Sequence, residues 1–513
     1  MLKKIFACLL ILLCAAASLP AYAESDNARN WYEIFVRSYK DSDGDGIGDL
    51  QGVIEKLDYV EYMGYDGLWL MPVMPSPSYH KYDVTDYKAI DPQYGSMADM
   101  RALVNACHER GIKIIIDMVL NHSSVQHPWF IAACDALRAG DMSSPYIDYY
   151  CFTQKSAQKY VPVSGTDWAY EEQFEGGGMP DLNLDSEALW NEIRDIFSFW
   201  LQDVGVDGFR LDAVTSYYAN NTPKNVEALA KVNALAEEMK PGCYLIGEAW
   251  TGLNEIARYY ESGVDSFFLF PVSQAEGSIA RVIRARSKNA QNYMSELCKI
   301  YDAIPDGLLA PFLGNHDTGR AIASLQARQN PERAKFAEGI LNMIGGATFT
   351  YYGEEIGMVG AGDDPNKRLA MYWSDGDMTS QPPGVTKLEY AYPSVEAQLA
   401  DDNSLLHYCR QLNWLKKENP AIARGENEFV SCEDDVLIMK RTWEGETCCV
   451  AINFSAKQEK TAALTLSNPF IAGQINVSAD MANLSDTQNG PVLSIPAYGI
   501  VVLCEKKNIT GKI

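Results

Sequence analysis

The sequence is poor in positive charge, with 43 lysine and arginine residues against 68 aspartate and glutamate residues and a net charge of -25. This balance argues against nucleic acid or an anionic membrane surface as a partner and favours a soluble protein or a neutral ligand. Histidine is also scarce, with six residues in the chain. The sequence has no CxxC pair and no cysteine and histidine spacing typical of zinc ligands, which argues against a zinc site. Internal repeats and low-complexity linkers are absent as well.

Long apolar runs are confined to the N-terminus. Two lysines precede an apolar run from Ile5 to Leu19, which is followed by small residues at Ala21 and Ala23. This pattern predicts a signal peptide over residues 1–23 and an exported protein, periplasmic or extracellular. No other run is long enough for a membrane span. Of the 12 cysteines, Cys8 and Cys14 lie in this segment, and we expect the other ten to be buried thiols or disulfide bridges.

Between residues 31 and 352, short apolar segments alternate with longer amphipathic ones, the pattern of βα units around a parallel sheet. Eight such segments are what a (β/α)8 barrel needs. We therefore predict an α/β fold in which residues 24–121 and 181–421 form a TIM barrel. Apolar residues at helical spacing predict helices at 97–110, 186–204, 225–239 and 331–344. The candidate strands are "WYEIFVRSY", "GLWLMPV", "IKIIIDMVL", "VDGFRLDAV", "CYLIGEAW", "SFFLFPV", "LLAPFLGNHD" and "TFTYYGEEI".

Two stretches depart from this alternation. Residues 122–180 are aromatic and glycine-rich, show no clear helical period and are too long for an ordinary βα loop. We expect them to form a small domain inserted after the third strand. Residues 422–513 contain short alternating segments with turn residues between them, which predicts a C-terminal all-β sandwich domain. Its candidate strands are "VLIMKRTW", "CCVAINFS", "KTAALTLS" and "GIVVLCE".

The predicted strand "GVDGFRLDAV" carries a charged pair. Arg210 and Asp212 are two residues apart and therefore share one side of the strand. A buried ion pair is weak evidence for stability, so the pair indicates either a surface-facing edge strand or a functional site. This segment alone leaves both interpretations open.

Polar residues recur at the carboxyl ends of the predicted strands, where the sites of TIM barrels are built. Three of them, Asp212, Glu248 and Asp317, suit glycoside hydrolysis, in which one carboxylate attacks the anomeric carbon and another group protonates the leaving oxygen. Arg210 is expected to keep Asp212 ionised, and the apolar run before Glu248 is expected to raise the pKa of that carboxyl group. The recurring residues are Asp117, Asn121, His122, Arg210, Asp212, Glu248, Asn315, His316 and Asp317.

The loop "DSDGDGIGD", residues 41–49, predicts a structural Ca²⁺ site. Aspartates alternate along it, and its glycines permit a tight turn, which together suit a hard cation. The loop is not a complete EF-hand, because Gly52 stands at the twelfth position. The alternative is a solvated acidic loop. The candidate ligands are Asp41, Asp43, Asp45 and Asp49.

The motifs of the chain, taken in order, resemble the α-amylase family, family 13 of the glycoside hydrolases. "DMVLNH", "GFRLDAV", "GEAW" and "FLGNHD" are similar to its four signature regions, and "MPDLN" to a further motif at the end of its inserted domain. The form is close to the intermediate group between oligo-1,6-glucosidase-like and neopullulanase-like members. The resemblance implies that Asp212 is the nucleophile, Glu248 the general acid/base and Asp317 the carboxylate that stabilises the transition state.

The resemblance also implies a sugar subsite and completes the calcium loop. "YHKY" and "DDPNKR" resemble two parts of the first subsite, in which Tyr82 would stack on the sugar ring. The loop at 41–49 is similar to the calcium loop of oligo-1,6-glucosidase-like members and adds the carbonyl of Ile47 as a ligand. The substrate-binding residues implied in this way are His80, Tyr82, His122, Arg210, His316, Asp364 and Arg368.

Four positions bear on specificity. Many α-amylases carry a Lys-His pair where Thr215 and Ser216 stand, a pair that serves an acceptor subsite and a second calcium. Tyr79 occupies a position that is acidic in α-glucosidases, and Ala213 resembles α-1,4-acting members.

We therefore expect an exported, monomeric, retaining α-amylase that acts on α-1,4 bonds of starch and maltodextrins, with malto-oligosaccharides as ligands and no nucleic acid. An α-glucosidase or a neopullulanase- or cyclomaltodextrinase-like enzyme with transglycosylation is the alternative within the family. A non-catalytic barrel and an acidic calcium-binding protein are alternatives outside this class of reaction.

Overall fold

The structure is a computed structural model that describes residues 26–154, 160–285, 287–466, 468–488 and 490–505. The predicted signal peptide, residues 1–23, lies outside the described residues and stays a prediction.

Parallel strands form the barrel. The sheet runs in the order eighth, first, second, third, fourth, fifth and sixth barrel strand. Residues 309–312 stand in the seventh position, where Ala310 pairs with Phe268 and Phe312 pairs with Phe349, so the ring closes. This arrangement confirms the predicted α/β barrel. The named strands, first to sixth and then eighth, are Asn30–Ile34, Gly67–Leu70, Lys113–Met118, Gly208–Leu211, Tyr244–Gly247, Ser266–Phe267 and Thr348–Tyr351.

The predicted helices lie between the strands, with ends set by capping residues. Ser96 and Asp99 form a capping box at the start of Met97–Glu109. The predicted helix at 186–204 begins after Ser186 and changes to a π-helical turn over Phe199–Val204. The α-helices are Leu50–Glu55, Leu57–Tyr62, Met97–Glu109, Pro128–Ala139, Glu187–Ser198, Thr222–Met239, Leu253–Tyr259, Ser278–Arg284, Asn289–Ala303, Ala321–Ser324, Pro331–Asn342, Asp364–Lys367, Val395–Leu399, Leu405–Glu418 and Pro420–Arg424.

Aromatic side chains fill the barrel interior. The Trp31 ring stacks on Tyr244 at 4.8 Å between centroids and on Phe349 at 5.7 Å. Gly67 makes room for this layer, because a Cβ atom there would lie 2.4 Å from the Trp31 ring. The layer is buried and closely packed, and it lies beneath the polar residues at the strand ends.

The inserted segment contains a small antiparallel sheet of Phe152–Thr153, Ala169–Glu171 and Tyr160–Pro162, with Ala169–Glu171 in the middle. It also contains the helix Pro128–Ala139, which the sequence pattern did not indicate. This helix starts at a proline after the N-cap His127 and ends at Gly140, whose φ of +71° suits glycine. The bridge between His122 and Asp181 joins the two ends of the segment beside the barrel.

The C-terminal region is antiparallel, as predicted, and consists of two sheets. Apolar residues from both sheets, such as Ile438, Val501 and Leu493, form a common core, which is the packing of a sandwich. The structure adds four strands that the sequence pattern did not indicate. The five-stranded sheet is Glu426–Glu433, Val436–Trp443, Glu446–Asn453, Ile500–Glu505 and Pro469–Ile475, and the three-stranded sheet is Lys460–Ala463, Gly490–Ile495 and Asn483–Thr487.

The ten cysteines of the described residues are free thiols, most of them buried, which favours the first of the two expectations for them. Within the described part of the chain, no helix is both long enough and apolar enough to cross a membrane.

We expect Gly208→Ala to lower the Tm strongly. Gly208 begins the fourth barrel strand with φ +152°, and an added Cβ would lie 1.8 Å from the carbonyl oxygen of Tyr244. The backbone itself would have to move, so a loss of more than about 3 kcal/mol is expected. The control is Gly111→Ala, where φ is +70° and nothing lies within 4 Å, and a loss of about 1 kcal/mol is expected. Equal shifts in thermal unfolding for the two variants would contradict this account.

Candidate active site

A polar layer covers the aromatic floor at the carboxyl ends of the barrel strands. Side chains alternate along a strand, so Glu33 shares the inward face of Trp31, which lies two residues earlier. The same alternation applies along the other strands. The buried side chains of this layer are Glu33, Asp117, Arg210, Asp212, Glu248 and His316.

Arg210 lies at the centre of this layer and contacts three carboxyl groups. Its Nη1 atom is 2.8 Å from Asp117 Oδ1 and 2.5 Å from Asp212 Oδ1, and its Nη2 atom is 3.0 Å from Glu248 Oε2. The Arg210 side chain is fully buried, and its guanidinium lies 5.4 Å from the centre of the Trp69 ring. A buried cation is stable only with such partners. The charged pair of "GFRLDAV" is therefore interior.

Glu248 is nearly buried, with 8% of its side chain exposed. Burial raises the pKa of its carboxyl group to about 7, and the charges of Asp212 and Asp317 add to this although Arg210 opposes it. The backbone N–H of Ala213 donates to Glu248 Oε2 at 2.9 Å. Ala213 has a φ of +48°, so the chain turns sharply just after Asp212 and aims this N–H at the carboxyl group.

Asp317 is the most open of the three predicted catalytic carboxyl groups, with 30% of its side chain exposed against 9% for Asp212. Arg368 Nη2 donates to its Oδ1 at 2.7 Å, and His316 Nε2 lies 3.0 Å from its Oδ2. Burial opposes ionisation here, but the charges of His316 and Arg368 outweigh it and hold the pKa of Asp317 well below its usual range.

His316 is completely buried and has a partner at each ring nitrogen. Nδ1 lies 2.5 Å from Glu33 Oε1, and Nε2 lies 2.6 Å from the Tyr82 hydroxyl. The Tyr82 ring stacks on His316 at 5.4 Å, and its hydroxyl donates to Asp117 Oδ2 at 3.1 Å. Both nitrogens of His316 are thus engaged within the protein.

The loop that carries His80 is held by a strained lysine. His80 Nδ1 lies 3.1 Å from the Ser78 hydroxyl, and burial lowers the pKa of the imidazole. Lys81 has a φ of +68°, which is unfavourable for a residue with a side chain. Its ammonium forms a buried pair with Asp91 Oδ2 at 2.7 Å, and this pair holds the turn in place.

His122 faces the same region from the segment that follows the third barrel strand. Burial lowers the pKa of its imidazole, which favours the neutral form. Its Nε2 atom is buried and has no hydrogen-bond partner among the described residues. The partly exposed Phe174 ring of the inserted segment lies 5.1 Å from His122. A neutral ring nitrogen without a partner at the site edge suits a hydroxyl ligand.

The two residues predicted from "DDPNKR" differ in position. Arg368 is buried and contacts Asp317 directly. Asp364 lies farther out, with 55% of its side chain exposed, 3.8 Å from Arg368 Nη2 and 2.8 Å from Lys367 Nζ. The structure therefore brings Arg368 into the layer and leaves Asp364 at its edge.

Two residues of this region escaped the sequence reasoning. Glu33 is a charged residue inside an apolar strand, the same signal that drew attention to Arg210, and it could have been found in that way. Trp250 follows Glu248 by two residues, is 48% exposed and stacks on Phe270 at 4.8 Å. An exposed tryptophan next to the carboxyl layer offers a flat face to a ligand.

The acidic loop brings together three of its predicted ligands. Carboxylate oxygens of Asp41, Asp43 and Asp49 lie within 4.8 Å of one another. Asp45 is outside this group, and its Oδ1 atom accepts the Ile47 N–H at 2.6 Å. Of the four predicted aspartates, three therefore converge. The Ile47 ligand would be its backbone carbonyl and stays a prediction. Converging carboxylates on a glycine turn are the donor set that a hard cation such as Ca²⁺ prefers, so the residues present fit the ion.

The carboxyl layer combines groups of different protonation. Asp317 is held ionised by two cations, whereas Glu248 and Asp117 each have a pKa of about 7 because they are buried. A proton donor beside an ionised carboxylate is the combination that acid-assisted cleavage of an acetal needs.

Comparison with known proteins places this arrangement in a family. The profile described as "Alpha amylase, catalytic domain" matches residues 33–425. Alpha-amylase 3 of Dictyoglomus thermophilum is 35% identical over 83% of this chain and 84% of its own length. An oligo-1,6-glucosidase of Parageobacillus thermoglucosidasius is 30% identical over 83% and 90%. The solved structure of Eubacterium rectale Amy13B is 40% identical, covers 94% of this chain and 96% of its own, and has a TM-score of 0.88.

Proposed function

The chain belongs to the α-amylase family of glycoside hydrolases, and from this we propose that it is a retaining enzyme that cleaves α-1,4-glucosidic bonds in starch and maltodextrins. The observation that carries the proposal is the contact of the Arg210 guanidinium with both Asp212 and Glu248, with Asp317 close by. Arg210 would thus hold the proposed nucleophile, Asp212, and the proposed acid/base, Glu248, next to the same sugar ring.

In the first step, a carboxylate oxygen of Asp212 bonds to the anomeric carbon while the bond from that carbon to the glycosidic oxygen breaks. Glu248 gives its proton to the departing oxygen. In the second step, the ionised Glu248 takes a proton from water, the water oxygen bonds to the anomeric carbon, and the bond to Asp212 breaks. The retained α configuration follows from these two displacements.

The remaining polar residues are assigned to the sugar. Asp317, open to solvent on one side, would accept hydrogen bonds from ring hydroxyls, and Arg368 would keep it in place. His80 and His122 would meet further hydroxyls, and Tyr82 would form the wall of the subsite. Arg210 would stay beside Asp212 throughout the cycle, because it is fully buried.

A second candidate is an α-glucosidase or a neopullulanase- or cyclomaltodextrinase-like enzyme with transglycosylation. The observation in its favour is the matched oligo-1,6-glucosidase, which covers as much of this chain as the α-amylase relative does. Thr215 and Ser216 also leave the acceptor side unlike that of many α-amylases.

We expect soluble starch to give a mixture of malto-oligosaccharides with the α anomer formed first, and maltotriose to be cut more slowly. Pullulan and cyclodextrin are the competing substrates in the same panel. Asp212→Asn is the matched control and should lower the rate by roughly 10⁴-fold or more, because it removes the nucleophile. Exclusive release of glucose from chain ends would overturn the α-amylase proposal and favour the α-glucosidase.

We expect kcat/KM on maltodextrin to fall as the pH rises through about 7. The pKa of Glu248 is raised to about 7 by burial, so the acid form is present below that value and is lost above it. Glu248→Gln should lower kcat on maltodextrin by about 10²- to 10⁴-fold. The Glu248→Gln variant should cleave an aryl maltoside with a good leaving group with a smaller loss of rate. The rate that remains should no longer fall near pH 7. A Glu248→Gln profile that keeps this fall would contradict the assignment.

We also propose that Asp41, Asp43 and Asp49 hold a structural Ca²⁺, which would tie the loop to the start of the helix Leu50–Glu55. The ion would screen three carboxylates from one another and would not touch the substrate.

We expect EDTA to lower the Tm and added Ca²⁺ to restore it. A site with free Ca²⁺ at 100 times its Kd stabilises the fold by about 2.7 kcal/mol. Asp43→Asn should reduce this response, because it removes one charged ligand. Asp86→Asn, at an exposed aspartate outside the loop, is the control and should keep it. A wild-type Tm that does not respond to EDTA would contradict the site.

A further inference from the structure

Glu33 is a buried carboxylate with a specific partner. It lies on the first barrel strand between the register partners Trp69 and Tyr351, and 2% of its side chain is exposed. Its Oε1 atom is 2.5 Å from His316 Nδ1. A carboxylate in such a place is unfavourable unless its partner is matched to it, so the contact needs an explanation beyond packing.

The second nitrogen of His316 also faces acceptors. Nε2 lies 3.0 Å from Asp317 Oδ2 and 2.6 Å from the Tyr82 hydroxyl. The hydroxyl hydrogen of Tyr82 goes to Asp117 Oδ2, which leaves the oxygen to accept from Nε2. Ionised carboxylates only accept hydrogen bonds, so both ring nitrogens must donate. An imidazole that donates from both nitrogens is the cation.

Charges alternate across this part of the layer. Glu33 is followed by His316, then by Asp317, and then by Arg368, whose Nη2 is 2.7 Å from Asp317 Oδ1. Two further titratable groups face the imidazole: Tyr82, which contacts it, and Asp117, whose carboxyl group interacts with its charge. Arg210 on the fourth strand acts on the neighbouring Asp317. Burial lowers the pKa of His316, but the charges of Asp317 and Glu33 outweigh it and raise the pKa to about 9.

We propose that Glu33 is a positioning residue for glycoside cleavage, which keeps the His316 imidazole doubly protonated and through it fixes Asp317 and Tyr82 against the sugar. The proposal rests on the proposed function, because only then do Asp317 and Tyr82 meet a sugar. Glu33 touches no substrate and acts through His316.

The distinction between charge and shape makes the proposal testable. A neutral imidazole with a proton on Nδ1 would be equally well bonded by the amide oxygen of a glutamine. A carboxylate is needed only if the His316 ring is a cation whose charge must be stabilised. With the cation, the two Asp317 oxygens are divided between His316 and Arg368, which leaves one open side for hydroxyl groups.

The first experiment reads the charge on the ring. Histidine labelled with ¹³C and ¹⁵N in the ring gives few signals, because the chain has six histidines. At pH 8, the wild-type spectrum should contain a doubly protonated ring, which His316→Asn identifies by its loss. Glu33→Gln should convert this signal to a neutral ring. Glu338→Gln is the matched control, because Glu338 is also a buried glutamate and lies on the helix Pro331–Asn342. Among the described residues, no hydrogen bond or ion pair joins its side chain to His316, so it should leave the signal unchanged.

The second experiment measures catalysis with the same proteins. Glu33→Gln should lower kcat/KM on maltodextrin by about 10- to 100-fold, by analogy with the loss of carboxylates that orient metal-bound histidines. The loss should grow from pH 6 to pH 8, as the ring loses its proton, while Glu33→Asp should recover part of the rate. Glu338→Gln should keep the wild-type profile.

A neutral His316 in the wild-type protein would overturn the proposal, and so would a doubly protonated ring in Glu33→Gln. If Glu33→Gln does not fold, the proposal is tested by the ring signal of the wild-type protein and by the rate that Glu33→Asp recovers. If Glu33→Gln loses the signal of the doubly protonated ring but keeps the wild-type pH profile of kcat/KM, the proposed role of Glu33 in catalysis is overturned. A chain that cleaves no α-glucan would disprove the proposed function instead, and the ring signal would still report on Glu33.

Discussion

The buried guanidinium of Arg210 is the constraint on which the rest of the site depends. Removing a cation from water is strongly unfavourable, and here three carboxyl groups compensate for it. The compensation works only in one geometry, so Arg210 fixes Asp117, Asp212 and Glu248 together. The strands that carry these groups are thereby tied together at their carboxyl ends, above a buried aromatic layer.

The same low-polarity surroundings give neighbouring carboxyl groups opposite properties. Around Glu248 the effect of burial prevails and the group holds a proton near neutral pH. Around Asp317 two cations are close enough to reverse the effect, and the group stays ionised. The local pattern of positive charge, and not depth alone, therefore separates a proton donor from a carboxylate anion.

Much of the barrel and its carboxyl layer could be predicted, because buried parallel strands are continuous apolar runs and functional side chains follow where they end. Three elements could not be predicted: the helix Pro128–Ala139 and the strands Glu426–Glu433 and Asn483–Thr487. The two strands contain no buried residue, so their hydrophobic pattern is weak. The spacing of the aspartates in the acidic loop also could not show that the Asp45 carboxylate lies apart from the other three. The contact of Glu33 with His316 joins residues 283 positions apart and needs the closed ring.

The backbone of Lys81 has a consequence for how this loop can change in evolution. Its left-handed conformation is unfavourable by on the order of 1–3 kcal/mol, and a glycine would remove that strain. A glycine alone, however, would leave Asp91 buried without its cation. Replacing Asp91 first would leave the Lys81 ammonium buried without its anion. Both single changes therefore leave one buried charge without a partner, and we expect the two positions to change together. The ion pair with Asp91 thus explains why a residue with a side chain occupies a turn position that would suit glycine.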